Sequence, residues 1–474
     1  SSSLGCQRWS RPGAWRSVSG PMALPVPHTP GGADVAAKAY GTYVRETLGA
    51  AGWPWPEHVL CDPGKQPRFV HTIEELIHEM QLGNHMNEVV VFTGGLQAVG
   101  QREALHPSIA AAAGLDQVGD MPPTAYDVLE RLSKAGSLEE FKGKVTFRRK
   151  ADAHADVAAG GRCNAALEPK WQALREDCPE SMKGSVYMAE VRRLHAQSVA
   201  GEGLRLRRRS TLATTMRERL HQLGMDVRSM LFWDDFSEGM FCGGGFSAYD
   251  LHVDCIPTSN VGSVFAGHKL LAIWRYPEDT RAVMREHGRE LFVPPLTPKQ
   301  VSALERACCV ALAPPGSIYI FSGTNAHAVC NVGIGSPGGA GEAPPPSLVV
   351  SSYEAFVGLN RQHVDVLLDT CSRGACVGLD ASDTDSDLEE FMEEVVDTAH
   401  SCQKRLRLGE VNEPEAVAEM LARVSEKSVR ARRALAAGRD GKDSEASDSS
   451  GKENTEGMNL MCLQETKRQR RIVN

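Results

Sequence analysis

The sequence lacks the features of a membrane protein and of a disulfide-stabilised scaffold. No apolar run approaches the roughly 18 residues that a bilayer-spanning helix needs, so we expect no membrane segment. The 13 cysteines are scattered, none stands in a Cys-x-x-Cys pair, and the adjacent Cys308 and Cys309 cannot easily bridge each other. Free thiols of this kind are typical of a reducing compartment, so we expect a nuclear or cytoplasmic protein.

The sequence also lacks a strong excess of charge, a zinc finger and an internal repeat. The net charge of -8 over 474 residues is mild, which argues against a chain coated with nucleic acid. No cysteines have the spacing of a zinc finger, so no chromatin-reader motif is indicated. A basic stretch at 204–223 contains Arg205 and Arg207–Arg209. Its ordinary interpretation is a solvated helix face, and a phosphate-binding surface is the alternative.

Both ends of the chain have the composition of disordered segments. Residues 1–35 are rich in glycine, proline and serine, and we expect a disordered leader there. Residues 1–28 carry arginines and no acid, so an organellar transit peptide is the alternative. Residues 438–474 are charged and polar and are predicted to form a disordered tail. Its basic cluster at 467–471 is either a nuclear import signal or a solubilising end.

Apolar periodicity predicts helices on both sides of a β-rich centre. Residues 36–69 form a predicted helical N-terminal segment that begins with a helix at 36–51, and residues 366–437 form an acidic helical region. The shorter predicted elements between them are helices at 72–81 and 126–138, strands at 88–92 and 144–147, and an ambiguous alanine-rich stretch at 151–180.

The centre of the chain is dominated by short strands and glycine-rich turns. Residues 230–357 have this pattern, interrupted by a Gly- and Pro-rich stretch at 333–346 that we interpret as a flexible insertion between two strands. We therefore predict a mainly β core with helical flanks, an α+β fold, within one region at 70–365.

A His-x-Asp motif is the first candidate for chemistry. His252 and Asp254 are two residues apart, so in a strand their side chains point to the same face. Together with a second imidazole they would form the 2-His-1-carboxylate triad, which holds a redox metal and leaves positions open for other ligands. Taken alone, a His-x-Asp motif is more often an ordinary surface or core feature.

Three further features strengthen this interpretation. Lys269 leads into an apolar strand at 270–274, where an ammonium group requires a counter-charge unless it is exposed on a turn. The segment Pro315–His327 has the pattern of a strand and a tight turn that end in a histidine, which is either a metal ligand or a buried structural residue. A strand at 347–352 carries hydroxyl groups that could reach a bound carboxylate.

These motifs resemble the JmjC family of Fe(II)- and 2-oxoglutarate-dependent oxygenases, within the cupin superfamily. The first resembling motif consists of His252-Val253-Asp254, Thr258-Ser259, Gly267-His268-Lys269 and the apolar strand that ends at Trp274. The second is Pro-Gly-x-x-x-x-Phe-x-Gly-x-x-x-His at 315–327. The chain is most similar to the small, hydroxylase-like branch of the family, and the resemblance covers residues 230–357 well and 70–229 weakly. It implies a double-stranded β-helix, the jelly-roll fold of cupins.

The resemblance implies a set of site residues. Fe(II) would be bound by His252, Asp254 and His327, and Lys269 would pair with the distal carboxylate of 2-oxoglutarate. Further co-substrate contacts are implied at Tyr249, Thr258, Asn331 and Ser351.

Two positions depart from the family pattern. Tyr249 stands where the family often has Thr or Ser. Gly262 stands where many members have Asn, although Asn260 lies two positions earlier. The metal triad itself is intact.

The resemblance implies a dioxygenase that uses Fe(II), 2-oxoglutarate and O2. Decarboxylation of 2-oxoglutarate to succinate would accompany hydroxylation or demethylation of a protein substrate, such as a histone lysine or arginine or a side chain of another nuclear protein. One alternative is an oxygenase that acts on RNA or a small molecule. The other is a non-catalytic cupin that serves as an interaction module. The sequence indicates no oligomeric state.

Overall fold

The structure is a computed structural model of the whole chain. It describes residues 32–50, 56–99, 124–136, 138–147, 166–176, 178, 183–184, 186–193, 211–222, 231–233, 239–245, 247–254, 259–288, 290–333, 348–358 and scattered positions between 400 and 429.

Helices flank and interrupt a larger set of strands. The α-helices are α1 (Gly32–Ala50), α2 (Glu57–Leu60), α3 (Ile73–Leu82), α4 (Gly95–Ala98), α5 (Ala125–Lys134), α6 (Leu167–Glu176), α7 (Thr211–Gln222), α8 (Glu278–His287) and α9 (Pro298–Glu305). Short 3-10 helices lie at Pro63–Lys65, Asn84–Met86 and Leu138–Glu140. The strands are β1 (Arg68–Val70), β2 (Val90–Phe92), β3 (Phe141–Phe147), β4 (Val186–Arg193), β5 (Leu231–Trp233), β6 (Gly239–Gly243), β7 (Ala248–His252), β8 (Ser259–Ala266), β9 (His268–Trp274), β10 (Cys309–Ala313), β11 (Ile318–Ser322), β12 (Ala326–Val332) and β13 (Val349–Gly358).

Local capping signals fix several helix boundaries. At the start of α3, the Thr72 hydroxyl accepts the Glu75 backbone N–H at 3.1 Å, and the Glu75 carboxylate accepts the Thr72 N–H at 3.3 Å. This reciprocal pair satisfies two backbone donors that the first helical turn leaves free. Gly83 ends the helix at a φ of 75°, which glycine adopts without steric cost. The helix predicted at 72–81 is therefore confirmed.

Some predicted boundaries were wrong. Helix α1 begins at Gly32, inside the leader that was predicted to extend to residue 35, because the alanines from Ala33 onward are strong helix formers. Helix α5 ends at Lys134 instead of 138, since Gly136 takes a φ of 69° just beyond it. Strand β3 begins at Phe141 instead of 144, because its register with β4 extends to the pair Phe141–Arg193.

Two sheets form the centre of the protein. The smaller sheet is antiparallel with the strand order β10-β9-β12-β7. The larger sheet has the order β1-β2-β11-β8-β13-β6-β4-β3, with β5 added to β13, and only β1 and β2 are parallel. A chain rich in strands with helices around them is what the sequence predicted.

The two sheets face each other across a shared apolar core. Val264, Tyr319 and Phe321 from the larger sheet join Leu271 and Ile273 from the smaller sheet in one buried cluster. The opposite face of the smaller sheet packs against α1, α8 and α9, and the opposite face of the larger sheet packs against α3, α5, α6 and α7. Helices therefore cover the outer faces of both sheets, and the space between the sheets is enclosed by the sheets themselves.

Several predicted segments lie partly or wholly outside the described residues. Strand β12 ends at Val332 and β13 begins at Val349, so the predicted insertion at 333–346 falls between two strands, although residues 334–347 are not described. Of the basic stretch, only α7 is described, without Arg205–Arg209. The tail at 438–474 and most of the acidic region at 366–437 also lie outside, and they stay predictions. Among the helices that are described, none combines the length and the apolar character that crossing a bilayer requires.

Gly262 provides a test of the inter-sheet packing. A Cβ atom at Gly262 would lie 2.1 Å from Cζ of the buried Tyr319 ring, so we expect Gly262→Ala to lower the free energy of unfolding by about 1 to 3 kcal/mol. The control is Gly49→Ala on the exposed side of α1, where nothing lies within 4 Å and alanine should be stabilising. Urea denaturation measures both variants, and equal unfolding midpoints for the two would contradict this packing.

Candidate metal centre

Strand pairing brings the predicted metal ligands together from distant parts of the sequence. His252 is the last residue of β7, and His327 lies directly opposite it near the start of β12. Asp254 follows β7 after one residue, and its backbone N–H donates to the Gly323 carbonyl at 3.0 Å. The turn between β11 and β12 therefore fixes the carboxylate beside both imidazoles.

The three side chains converge on one point. The Asp254 Oδ1 atom lies 3.7 Å from His252 Nε2 and 3.8 Å from His327 Nε2, and the two imidazole centroids are 4.1 Å apart. Adjacent ligands of an octahedral ion, each about 2.1 Å from the metal, are roughly 3 Å apart. The two Asp254 distances exceed that spacing by less than about 1 Å, and the three ligand atoms all lie within 4.8 Å of one another. The three residues can therefore hold a metal ion.

Backbone carbonyls orient both imidazoles. His252 Nδ1 lies 2.7 Å from the Asp250 carbonyl oxygen, and His327 Nδ1 lies 2.9 Å from the Asn325 carbonyl oxygen. A carbonyl can only accept, so each Nδ1 donates a proton, which leaves Nε2 as the ring nitrogen that can face a metal ion. A neutral imidazole with its second nitrogen held in this way is the usual form of a metal-binding histidine.

Asn260 orients the carboxylate. Its Nδ2 group donates to Asp254 Oδ2 at 2.5 Å, which leaves Oδ1 as the oxygen that faces the imidazoles. The sequence analysis noted that Asn260 lies two positions before Gly262 but gave it no role. Its contact with Asp254 depends on how β8 runs beside the end of β7.

Removing this support should weaken metal binding without abolishing it. We expect Asn260→Ala to lower the affinity for a divalent metal ion, with Fe(II) as the probe, by about 10- to 100-fold, the usual effect of losing a partner of a metal ligand. Anaerobic titration followed by calorimetry measures the affinity. The control is Asn84→Ala. Asn84 lies just beyond the end of α3, its side-chain amide donates to the Glu79 carboxylate, and its replacement should leave Fe(II) binding unchanged. Equal affinity in Asn260→Ala and the wild type would rule out this role.

Aromatic side chains surround the metal ligands, which remain partly accessible. The rings of Tyr249 and Phe321 lie 4.7 Å from His252 and 4.9 Å from His327, respectively, measured between centroids. The side chains of His252 and Asp254 are 21% and 25% exposed, whereas His327 is buried. The centre is therefore shielded on the inter-sheet side and open to ligands from solvent.

Lys269 is a buried cation in the same inter-sheet space. It lies in β9 opposite Asn331 of β12, and only 1% of its surface is exposed. Among the described residues, no ion pair or hydrogen bond involves its ammonium group. Burial lowers the pKa of Lys269 to about 7, and the nearby Cys242 and Cys330 thiols only partly oppose this shift.

Polar groups near Lys269 form a small cradle. The Asn331 Nδ2 group donates to the Ser247 hydroxyl at 2.8 Å. Gly243 lies against both, since a Cβ atom there would come within 2.3 Å of Ser247 Oγ, 2.6 Å of Asn331 Nδ2 and 2.7 Å of the Tyr187 ring. The absence of a side chain at Gly243 therefore keeps this cradle free of a further group.

A second polar group in this part of the fold lacks a partner. Ser351 on β13 is fully buried, and its hydroxyl makes no hydrogen bond in the described structure. Ser351 shares a strand face with Tyr353, which packs against the core between the sheets. A buried hydroxyl and a buried ammonium without partners are costly, unless a ligand satisfies them.

Strand register gives the separation between the metal ligands and the ammonium group. One face of β12 carries every second residue, namely His327, Val329 and Asn331. Their partners on β9 are, in the same order, Ile273, Leu271 and Lys269. The metal end and the Lys269 end are thus four residues apart, or about 13 Å between Cα atoms along the strand.

The predicted site residues meet this geometry to different degrees. The three predicted metal ligands, His252, Asp254 and His327, converge. Lys269 and Asn331 lie opposite each other on neighbouring strands. Ser351 faces the core between the sheets. Tyr249 lies against His252, and Thr258 lies outside the described residues.

Sequence reasoning missed a buried tyrosine pair beside the centre. The Tyr319 hydroxyl donates to the Tyr353 hydroxyl, and the Tyr319 ring fills the space beside Gly262. Burial raises the pKa of both tyrosines. No local signal marks this pair, because the two residues meet only through the pairing of β8 with both β11 and β13.

Comparison with known proteins does not assign the chain to a family. No protein-family model matches it, and no curated protein does. The functional interpretation therefore depends on the metal-ligand geometry and the buried ammonium group.

Proposed function

We propose that the protein is an Fe(II)- and 2-oxoglutarate-dependent dioxygenase of the JmjC type that hydroxylates or demethylates a protein substrate. One observation carries the proposal. A facial group of two imidazoles and one carboxylate, His252, Asp254 and His327, lies between the two facing sheets, in the space called the chamber below. Lys269 lies in the same space, and no carboxylate among the described residues pairs with its ammonium group.

The strand order supports a double-stranded β-helix for this chamber. Along the chain, β6 to β13 belong in turn to the larger, smaller, larger, smaller, smaller, larger, smaller and larger sheet. Within the sheets they are ordered β11-β8-β13-β6 and β10-β9-β12-β7. Eight antiparallel strands that alternate between two facing sheets are typical of a jelly roll.

The ligand set favours iron over other metals. Two histidines and one carboxylate on one face of an ion are typical of non-haem Fe(II) oxygenases. When bound there, Fe(II) would supply open positions where 2-oxoglutarate and O2 react, so that the co-substrate loses carbon dioxide and a substrate C–H bond becomes C–OH. Hydroxylation of an N-methyl carbon would release formaldehyde and so remove the methyl group.

The chain's own residues would bind and orient the co-substrate. Lys269 would pair with the distal carboxylate as a fixed point charge, and the Ser351 hydroxyl would donate to the same group. The facing sheets would exclude water from the reacting groups, and the exposed side of His252 and Asp254 would admit a substrate side chain. A carboxylate bound in this chamber would form an ion pair with the Lys269 ammonium group and accept a hydrogen bond from the Ser351 hydroxyl, two groups for which the described residues provide no partner.

Anaerobic titration with Fe(II) and 2-oxoglutarate tests the proposal directly. We expect the wild type to bind 2-oxoglutarate only when Fe(II) is present, with a visible absorption that arises from the iron–2-oxo acid chelate. His252→Ala should lose both, because one of the three ligands is gone. His58→Ala, which removes an exposed histidine paired with Glu305, is the control and should behave like the wild type. Failure of the wild type to bind 2-oxoglutarate with iron present would refute the proposed function.

A further inference from the structure

The pairing of β7 with β12 contains an irregularity next to the metal ligands. His327 lies opposite His252, but Val329, two residues along β12, lies opposite Tyr249, three residues back along β7. A strand that places three residues against two carries a β-bulge, which changes the direction of nearby side chains. Tyr249 and His252 can therefore share one face of the sheet, although residues three apart in a regular strand point to opposite faces.

Ring distances place Tyr249 along the wall of the chamber. Its ring centroid lies 4.7 Å from that of His252 and 6.3 Å from that of Tyr187 on β4. Tyr187 in turn contacts the position of Gly243 beside Asn331, which is the Lys269 end of the chamber. The Tyr249 ring thus lies between the metal ligands and the polar cradle.

The neighbouring strands β9 and β12 contribute buried apolar side chains beside Tyr249. Val329 lies opposite Tyr249 on β12, and Leu271 lies opposite Val329 on β9. Both belong to the buried core between the sheets, whose packing leaves little room for an added methyl group. Tyr249 is only partly buried, so its side chain is the part of this wall whose size can change without disturbing the core.

We propose that Tyr249 is a specificity-determining residue that restricts the co-substrate to an unbranched 2-oxo diacid. This inference rests on the proposed dioxygenase function. A diacid held by the metal at one end and by Lys269 at the other passes beside the Tyr249 ring, and a methyl branch on its central carbons would collide with that ring. One methyl group in a closely fitting apolar site typically changes affinity by about 10- to 200-fold.

Binding to the Fe(II)-loaded full-length protein under anaerobic conditions tests the role of Tyr249. Calorimetry compares 2-oxoglutarate with 3-methyl-2-oxoglutarate in the wild type and in variants. We expect the wild type to bind the branched acid at least about 10-fold more weakly. Tyr249→Ala should remove most of that difference, and Tyr249→Phe, which keeps the ring, should retain it. Tyr249→Leu provides a second variant without the ring if the alanine variant does not fold.

The possible outcomes separate this inference from the function on which it rests. If the wild type binds 2-oxoglutarate and the alanine and leucine variants discriminate as the wild type does, the role of Tyr249 is wrong and the proposed function stands. If Tyr249→Phe also loses discrimination, the hydroxyl and not the ring is responsible, and the inference is overturned. If the wild type binds neither acid with Fe(II) present, the proposed function fails and the inference fails with it.

Discussion

Replacing Lys269 by methionine is expected to abolish 2-oxoglutarate binding and, at the same time, to stabilise the protein in the absence of co-substrate. The ammonium group is buried, no described residue forms an ion pair or hydrogen bond with it, and burial lowers the pKa of Lys269 to about 7. Folding therefore opposes the charged form, at a cost on the order of a few kcal/mol near neutral pH. Methionine fills a similar volume without charge, so the variant avoids this cost but cannot pair with a carboxylate.

The stabilisation should depend on pH with a defined sign. An unfolded lysine has a pKa of about 10.4, so between about pH 7 and 10.4 the unfolded chain binds more protons at this site than the folded chain. The destabilising effect of Lys269 is therefore complete below pH 7 and disappears as the pH rises towards 10.4. The advantage of Lys269→Met should be large at pH 6.5 and much smaller at pH 9.5.

Urea denaturation at these two pH values, together with co-substrate titration, measures both effects. Lys38→Met, at an exposed position of α1, is the control and should change neither property. A Lys269→Met variant that is less stable than the wild type at pH 6.5 would show that the buried ammonium has a structural role. Retention of 2-oxoglutarate affinity would show that the carboxylate binds elsewhere.

Asp254→Ala is expected to remove metal binding and to lower succinate formation by more than about 100-fold, beyond the effect of losing a partner of a metal ligand. Among the described residues, Asp254 provides the only carboxylate beside the two imidazoles. Its stability should change little, since the side chain is 25% exposed and no lysine or arginine among the described residues pairs with it. Iron content after anaerobic loading and succinate release measure the two properties.

A matched acidic position separates loss of a ligand from loss of charge. Asp279→Ala removes an exposed carboxylate in the first turn of α8, and it should keep both iron binding and succinate formation. If Asp254→Ala bound iron as tightly as this control, the three-residue centre would be excluded as the metal site.

The sequence predicted the components that depend on local pattern. The two-residue spacing of His252 and Asp254 predicted that their side chains point the same way, and they do converge, although β7 ends at His252 and Asp254 lies just beyond it. The segment before His327 has the strand-and-turn pattern of β11 and its loop. The convergence of His327 with the pair could only be expected from the family resemblance, because it depends on the register of β12 against β7.

The supporting contacts could not be predicted, because they arise from long-range packing. Asn260 reaches Asp254 only because β8 returns beside the end of β7, and Gly243 matters only because Asn331 and Tyr187 approach it. The β-bulge that re-aims Tyr249 has no signature in the sequence of β7. Helix boundaries were also imprecise, since the start of α1 depends on helix propensity at positions whose composition otherwise resembles a linker.

The position of β7 links metal supply to the lifetime of the protein. This strand lies at the edge of the smaller sheet, and within the described strands only β12 holds it there. An ion bound by His252, Asp254 and His327 would link the end of β7 to β12. The free energy of unfolding would then rise with the concentration of free metal. Without the bound ion, β7 would separate from β12 more often and expose the chain to proteases. We therefore expect iron-starved cells to degrade this protein faster, so that its abundance falls even while its synthesis continues.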